Sequence, residues 1–249
     1  MTAVTTRTPT EIADRVADTF DALFATIDGW RDLLEGRLAA LDTLTAESVD
    51  GLVEEFAVPA LHRDALITGA GFVATPGTLD DAEWHLAWWL GGQGALRRLA
   101  TIDDPAHEQF RDYTALEWWR IPARTGARHL TGPYVDYVCT DDYAVTITTP
   151  VRVAGAMVGV VGTDALVDRL ERELLPVLRS GRGEATIVNA GGRVVTSTDA
   201  HLEPGAILRR AGLPEALAAL RAGADSAGLP DGGTALACGD SSLVLLIAA

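Results

Sequence analysis

The sequence predicts an α+β protein, with a long N-terminal helix packed on an antiparallel sheet and a smaller C-terminal ββαββ lobe. Three observations predict it. Apolar residues recur at steps near three and four between Ile12 and Leu41, the spacing of one helix face. A strict alternation then runs through Tyr143, Val145, Ile147, Thr149, Val151 and Val153, followed by a turn at Ala154-Gly155 and an apolar return from Met157 to Asp164, the pattern of a half-buried strand in a hairpin. Two further hairpin patterns flank a helical one after Ser180-Gly-Arg-Gly183, a linker composition.

In chain order, the first helix carries Val16, Phe20, Leu23, Ile27, Trp30, Leu34 and Leu41 as its stripe, with Gly29 and Gly36 weakening its middle by ~1 kcal/mol each relative to Ala. The stripe has two readings, packing on the chain's own sheet or a seam with a second copy. A second helix starts at Thr45-Ala-Glu-Ser48 and runs to about Val58, where Pro59 is expected to stop it. Leu66 to Ala74 reads as the first strand and Thr75-Pro-Gly-Thr78 as a turn. Ala82 to Leu90 has both helical and alternating periodicity. Gly69-Ala-Gly71 and Gly91-Gly-Gln-Gly94 read as bends, and Ala95 to Thr101 as a short irregular or helical piece. Asp164 stands at the N-cap of a helix from Ala165 to Arg179. The last lobe is a hairpin of Ala185 to Asn189 with Arg193 to Ser197, a helix Pro214 to Ala222, and a hairpin of Thr234 to Cys238 with Leu243 to Ala248. The expected division is a helical region 1–60, a ligand-binding domain 61–180 and a small lobe 184–249, with no effector domain after the last hairpin.

The stretch from Trp118 to Asp164 resembles the Cache (PDC, PAS-like) family of bacterial ligand sensors, and within it the double-Cache members that bind amino acids and amines. Its aromatic pair, Tyr-x-Asp and final acid have counterparts in Trp118 and Trp119, in Tyr134 and Asp136, and in Asp164 of Val-Gly-Val-Val-Gly-Thr-Asp. The resemblance implies a PAS-like sheet over residues 50–185, makes the C-terminal lobe a reduced second module, and favours a strand for Ala82 to Leu90. It also implies an ammonium site, in which Asp136 and Asp164 supply negative charge while Trp118, Trp119 and Tyr134 supply ring faces adding ~0.5–2 kcal/mol of cation–π attraction. Tyr113 and Glu117 are secondary candidates. Amino-acid-binding members carry an Arg two residues before the aromatic pair, and here that position is Leu116. A missing carboxylate clamp points to an amine, unless Arg111 or Arg120 replaces the Arg.

Composition sets limits. The 249 residues, 48% hydrophobic, suffice for one large domain or two lobes. No stretch reaches the ~20 apolar residues of a membrane span and the N-terminus has no signal-peptide core, so a cytoplasmic location is expected, whereas most proteins of the resembling family are membrane receptors. A net charge of −15 with scattered Arg and no Lys argues against direct nucleic acid binding. Cys139 and Cys238 are too few for a disulfide framework. No metalloprotease, phosphate-loop, serine-hydrolase or paired-Cys motif occurs, and five dispersed His have no metal-ligand spacing.

The reading is therefore a binding protein and not an enzyme, with no cofactor, no metal and no membrane. Its ligand is a small amine or amino-acid-like molecule; its partners are a second copy through the N-terminal helix and a separate regulator, for instance of transcription. The alternatives are an enzyme acting on a small cationic metabolite and an interaction module with a vestigial pocket.

Overall fold

A computed structural model describes residues 6–91, 96–137 and 142–249. Cys139, Ala95 and most of the Gly91–Gly94 run lie outside them. The helices are α1 (Pro9–Leu38), α2 (Ala46–Arg63), α3 (Glu117–Thr125), α4 (Val167–Leu178) and α5 (Leu213–Arg221). The strands are β1 (Gly69–Ala74), β2 (Leu86–Leu90), β3 (Arg97–Arg98), β4 (His129–Val135), β5 (Tyr143–Val153), β6 (Ala156–Leu166), β7 (Ala185–Val188), β8 (Val194–Ser197), β9 (Ser226–Gly228), β10 (Thr234–Ala237) and β11 (Val244–Ile247). They form a six-stranded sheet ordered β3-β2-β1-β6-β5-β4 and a five-stranded sheet ordered β8-β7-β11-β10-β9. The α+β class with a large and a small sheet is thus the observed one. Two compact units result, Phe24–Thr131 with Val135–Leu166, and Met1–Leu23 with Gly132–Tyr134 and Val167–Ala249.

Helix α1 begins three residues before the expected start because Thr8-Pro9-Thr10-Glu11 is a capping box. The Glu11 carboxylate accepts from Thr8 N at 2.7 Å and the Thr8 hydroxyl accepts from Glu11 N at 3.3 Å, with Pro9 in the first turn. The helix runs unbroken through Gly29 and Gly36. Its stripe from Val16 to Leu34 is buried within the single chain, and Leu41 lies beyond its end, 39% exposed. A second copy would have to use the helix's other faces. Helix α2 starts at Thr45 as expected, with its capping box to Ser48, but continues through Pro59 to Arg63. The missing Pro N–H leaves one carbonyl without its helical donor; burial of Val49, Leu52, Val53, Phe56 and Ala57 outweighs that cost, and Phe56 stacks on Trp30 with ring centroids 4.9 Å apart.

In the large sheet the hairpin of β5 and β6 forms with the expected turn. Strand β5 is buried on both faces from Ala144 to Val151, so the half-buried expectation is corrected: its alternate Thr residues are covered, not solvated. The strand reading of Ala82 to Leu90 holds only for Leu86–Leu90, and of the piece read as irregular or helical, Ala95 to Thr101, the described residues 96–101 contain the short strand β3. Gly69 and Gly71 are not bends; they sit inside β1, in register with Asp164 and Gly162 of β6.

The small lobe has its own core, including Val188, Val194, Leu213, Leu217, Ala235 and Leu246. It is ββαβββ, not ββαββ: the extra strand β9 is three residues long and at the sheet edge, too short for any periodicity. Cys238 is buried here as a free thiol.

Candidate ligand site

Strand register sorts the central side chains onto two faces, because successive residues of a strand point to opposite sides. Gly69, Leu90, Asp164 and Thr146 are cross-strand partners, and so are Gly71, Trp88, Gly162 and Thr148 two residues along. These eight positions share one face. On the other lie Phe72, Trp89, Val161 and Ile147, backed by α2: Arg98 stacks over the Trp89 ring at 5.8 Å and is ion-paired at 2.7 Å with Asp50 of α2. The face away from α2 is covered by α3, since the Thr148 hydroxyl donates to the Trp118 carbonyl at 2.5 Å. Thr148→Val removes this tie and is expected to destabilise the protein by about 1–2 kcal/mol, read as a lower urea midpoint at unchanged slope; an unchanged midpoint would mean α3 is held by packing alone.

Asp164 is the polar centre of that face, inside β6 and 3% exposed. It is not an N-cap. Its pairing with Gly69 and Thr146 keeps it in the sheet, and the helix begins only at Val167. Oδ1 accepts the Thr146 hydroxyl at 2.6 Å, whereas Oδ2 has no hydrogen-bond partner among the described residues. The Trp88 indole nitrogen comes close over Gly69, and it too makes no hydrogen bond of acceptable geometry. Burial pushes the Asp164 carboxyl up to about 7 and the nearby Asp136 carboxylate pushes the same way, while Thr146 and Trp88 pull it back. Among the described residues no cationic side chain acts on it. Asp136 is itself buried, 2% exposed, just after β4.

The two acids expected from the sequence are therefore brought together. The two tryptophans lie on α3 rather than on a strand, Trp118 buried and Trp119 half-buried with its indole nitrogen enclosed and without a hydrogen-bond partner among the described residues. Tyr134 is half-buried on β4. Tyr113 is engaged structurally: its hydroxyl donates to Ala74 O at 2.8 Å, and its ring helps line a cavity of about 320 Å³ with Trp84, Phe110 and Arg111. Glu117 is exposed and pairs with His129 at 2.9 Å. Trp88, Thr146 and Gly69 were not singled out from the sequence. The signal for them was cross-strand: glycines in β1 and β6 leave room over the sheet that a Cβ would fill.

Leu116 is the N-cap residue of α3 and offers no charge. The Arg111 guanidinium donates to the carbonyls of Glu108 and Phe110, and Arg120 is exposed. Among the described residues no group of three or more His, Cys, Asp or Glu could hold a metal ion, and no helix is long and apolar enough to cross a membrane.

Residues 60–172 match the family model of the methyl-accepting chemotaxis protein-like first PDC sensor domain. Solved structures similar over the chain include methyl-accepting chemotaxis protein X, at 17% identity and a TM-score of 0.70 over 96% of this chain and 93% of that one. The ligand-binding domain of the Pseudomonas fluorescens chemoreceptor CtaA, solved with L-valine, matches at 18% identity and 0.60 over 95% and 91%. That of the Pseudomonas aeruginosa PAO1 amino acid chemoreceptor PctC, solved with GABA, matches at 15% and 0.57 over 96% and 95%. Over residues 60–172, which carry the central sheet with its buried Asp164, the chain thus matches and resembles the PDC, or Cache-type, sensor-domain family.

Proposed function

We propose that this domain senses a small organic amine, whose ammonium group lodges against Asp164 and Asp136. The observation that carries the reading is the Asp164 carboxylate, buried beside the buried Asp136, with no cationic side chain among the described residues acting on Asp164. Such a charge is costly in the protein interior unless a positive group joins it. An ammonium ligand supplies both the charge and the N–H donors that Asp164 Oδ2 lacks. The ligands named for CtaA and PctC, L-valine and GABA, each carry an ammonium group. Leu116, apolar at the start of α3, favours an amine over an α-amino acid. Binding would alter the packing of α3 on the sheet and pass the signal to a separate partner.

A thermal-shift screen against monoamines, polyamines, quaternary amines, amino acids and organic acids tests this. A ligand at ~100 times its dissociation constant adds about 2.7 kcal/mol to stability. Stabilisation by amines is the expected result. Stabilisation by α-amino acids alone would require a carboxylate clamp and reject the amine reading; silence from every cationic compound would reject the site.

A further inference from the structure

We infer that the small lobe carries a second binding site, for a short-chain organic carboxylate, in a groove flanking α5. It is independent of the amine site. The groove is open to solvent and offers about 690 Å³, within the range of small-molecule sites. Its floor is the open flank of the lobe's hydrophobic core: Leu213 and Leu217 are core residues, Leu208 packs against them, and Ile207 is 51% exposed. An exposed isoleucine over a core edge is apolar surface that a hydrocarbon tail would cover.

The rim has the opposite character. Arg209, Arg210 and Arg221 line it, and none of its lining residues is acidic, although the chain carries 35 acids against 20 basic residues. Arg210 is held by Asp231 in a forked pair of 2.7 and 2.9 Å. Arg221 donates to the Ala190 carbonyl at 2.9 Å, which fixes its position beside the groove. Neither Arg209 nor Arg221 has a carboxylate partner among the described residues. The segment bearing Ile207 and Leu208 is itself anchored, Ile207 bridging to Arg193 and Leu208 N donating to Gly192 O, so the floor and two of the three rim arginines, Arg210 and Arg221, are held in place. Guanidiniums recognise a carboxylate through parallel N–H donors, and the apolar floor selects a ligand with a tail.

The test is calorimetric titration of the full chain with butanoate, hexanoate, octanoate and, as the uncharged control, hexanol. Saturable hexanoate binding is expected, tightening by up to roughly fourfold per methylene added from butanoate, with hexanol at least ~10-fold weaker. The double variant Arg209→Gln/Arg221→Gln is expected to lose at least ~10-fold in hexanoate affinity. Asp164→Asn is expected to keep it, which separates failure here from failure of the amine site. No saturable carboxylate binding, or equal binding by the double arginine variant, would overturn the inference. Capture of an acidic peptide without competition by hexanoate would equally overturn it and assign the groove to a protein partner.

Discussion

Asp164→Asn is expected to stabilise the ligand-free protein at pH 8 and to abolish its response to amines. The two effects share one cause. In the folded chain burial, with Asp136 beside it, raises the Asp164 carboxyl to about 7 from an ordinary 3.8. The native state therefore holds a proton that the unfolded chain has already lost. Stability from this group is fully present below about pH 4, falls as the pH rises, and is gone above about 7. An Asn has the same shape, can still accept from the Thr146 hydroxyl, and never ionises. Urea unfolding from pH 5 to 8 should show a falling midpoint for the wild type and a flatter one for the variant, with the two curves crossing or diverging in favour of Asn at the alkaline end. An ammonium ligand acts in the opposite sense, drawing the carboxylate into its charged form, so amine binding should tighten as pH rises to about 7 and release a proton on the way. Parallel stability curves for the two proteins would remove the physical basis of the site.

Much of this arrangement is legible in the sequence, for reasons that differ by element. The β5–β6 hairpin was readable because strand alternation and a Gly turn act locally, and the stripe on α1 because a helix repeats its face. Asp136 and Asp164 were readable only through the family resemblance, since a sequence shows two acids 28 positions apart and not their meeting across the sheet. What failed was decided by tertiary contact. Pro59 is a strong local stop, but the buried face of α2 carries the helix past it. Asp164 reads locally as an N-cap, yet β-pairing with Gly69 and Thr146 extends the strand to Leu166. Thr146 and Thr148 look like the solvent side of a half-buried strand until α3 is seen to cover them. Trp88 fell between two periodicities, and only its register opposite Gly71 places its indole beside Asp164.

Gly69→Ala is the complementary experiment, because it adds an obstacle to the site without replacing either acid. A Cβ at Gly69 would lie 2.6 Å from Asp164 Oδ2, 2.7 Å from Trp88 Nε1 and 3.2 Å from a Leu90 methyl. All three are side-chain atoms, so the strand can remain paired while the carboxylate and the indole are forced aside. Overpacking of this kind costs about 1–3 kcal/mol, and displacing the charge by a fraction of an ångström should weaken amine binding at least tenfold, the loss of one charge-assisted hydrogen bond. Gly71→Ala, one pleat along the same face, differs in kind. Its Cβ would run into the backbone carbonyl of Ala87, which belongs to the β1–β2 pairing, so its main effect should fall on folding rather than on affinity. Titrating an amine into both variants alongside urea unfolding separates the outcomes. If Gly69→Ala binds the amine as tightly as the wild type, the ligand does not sit over this glycine, and Asp164 Oδ2 is not its counter-charge.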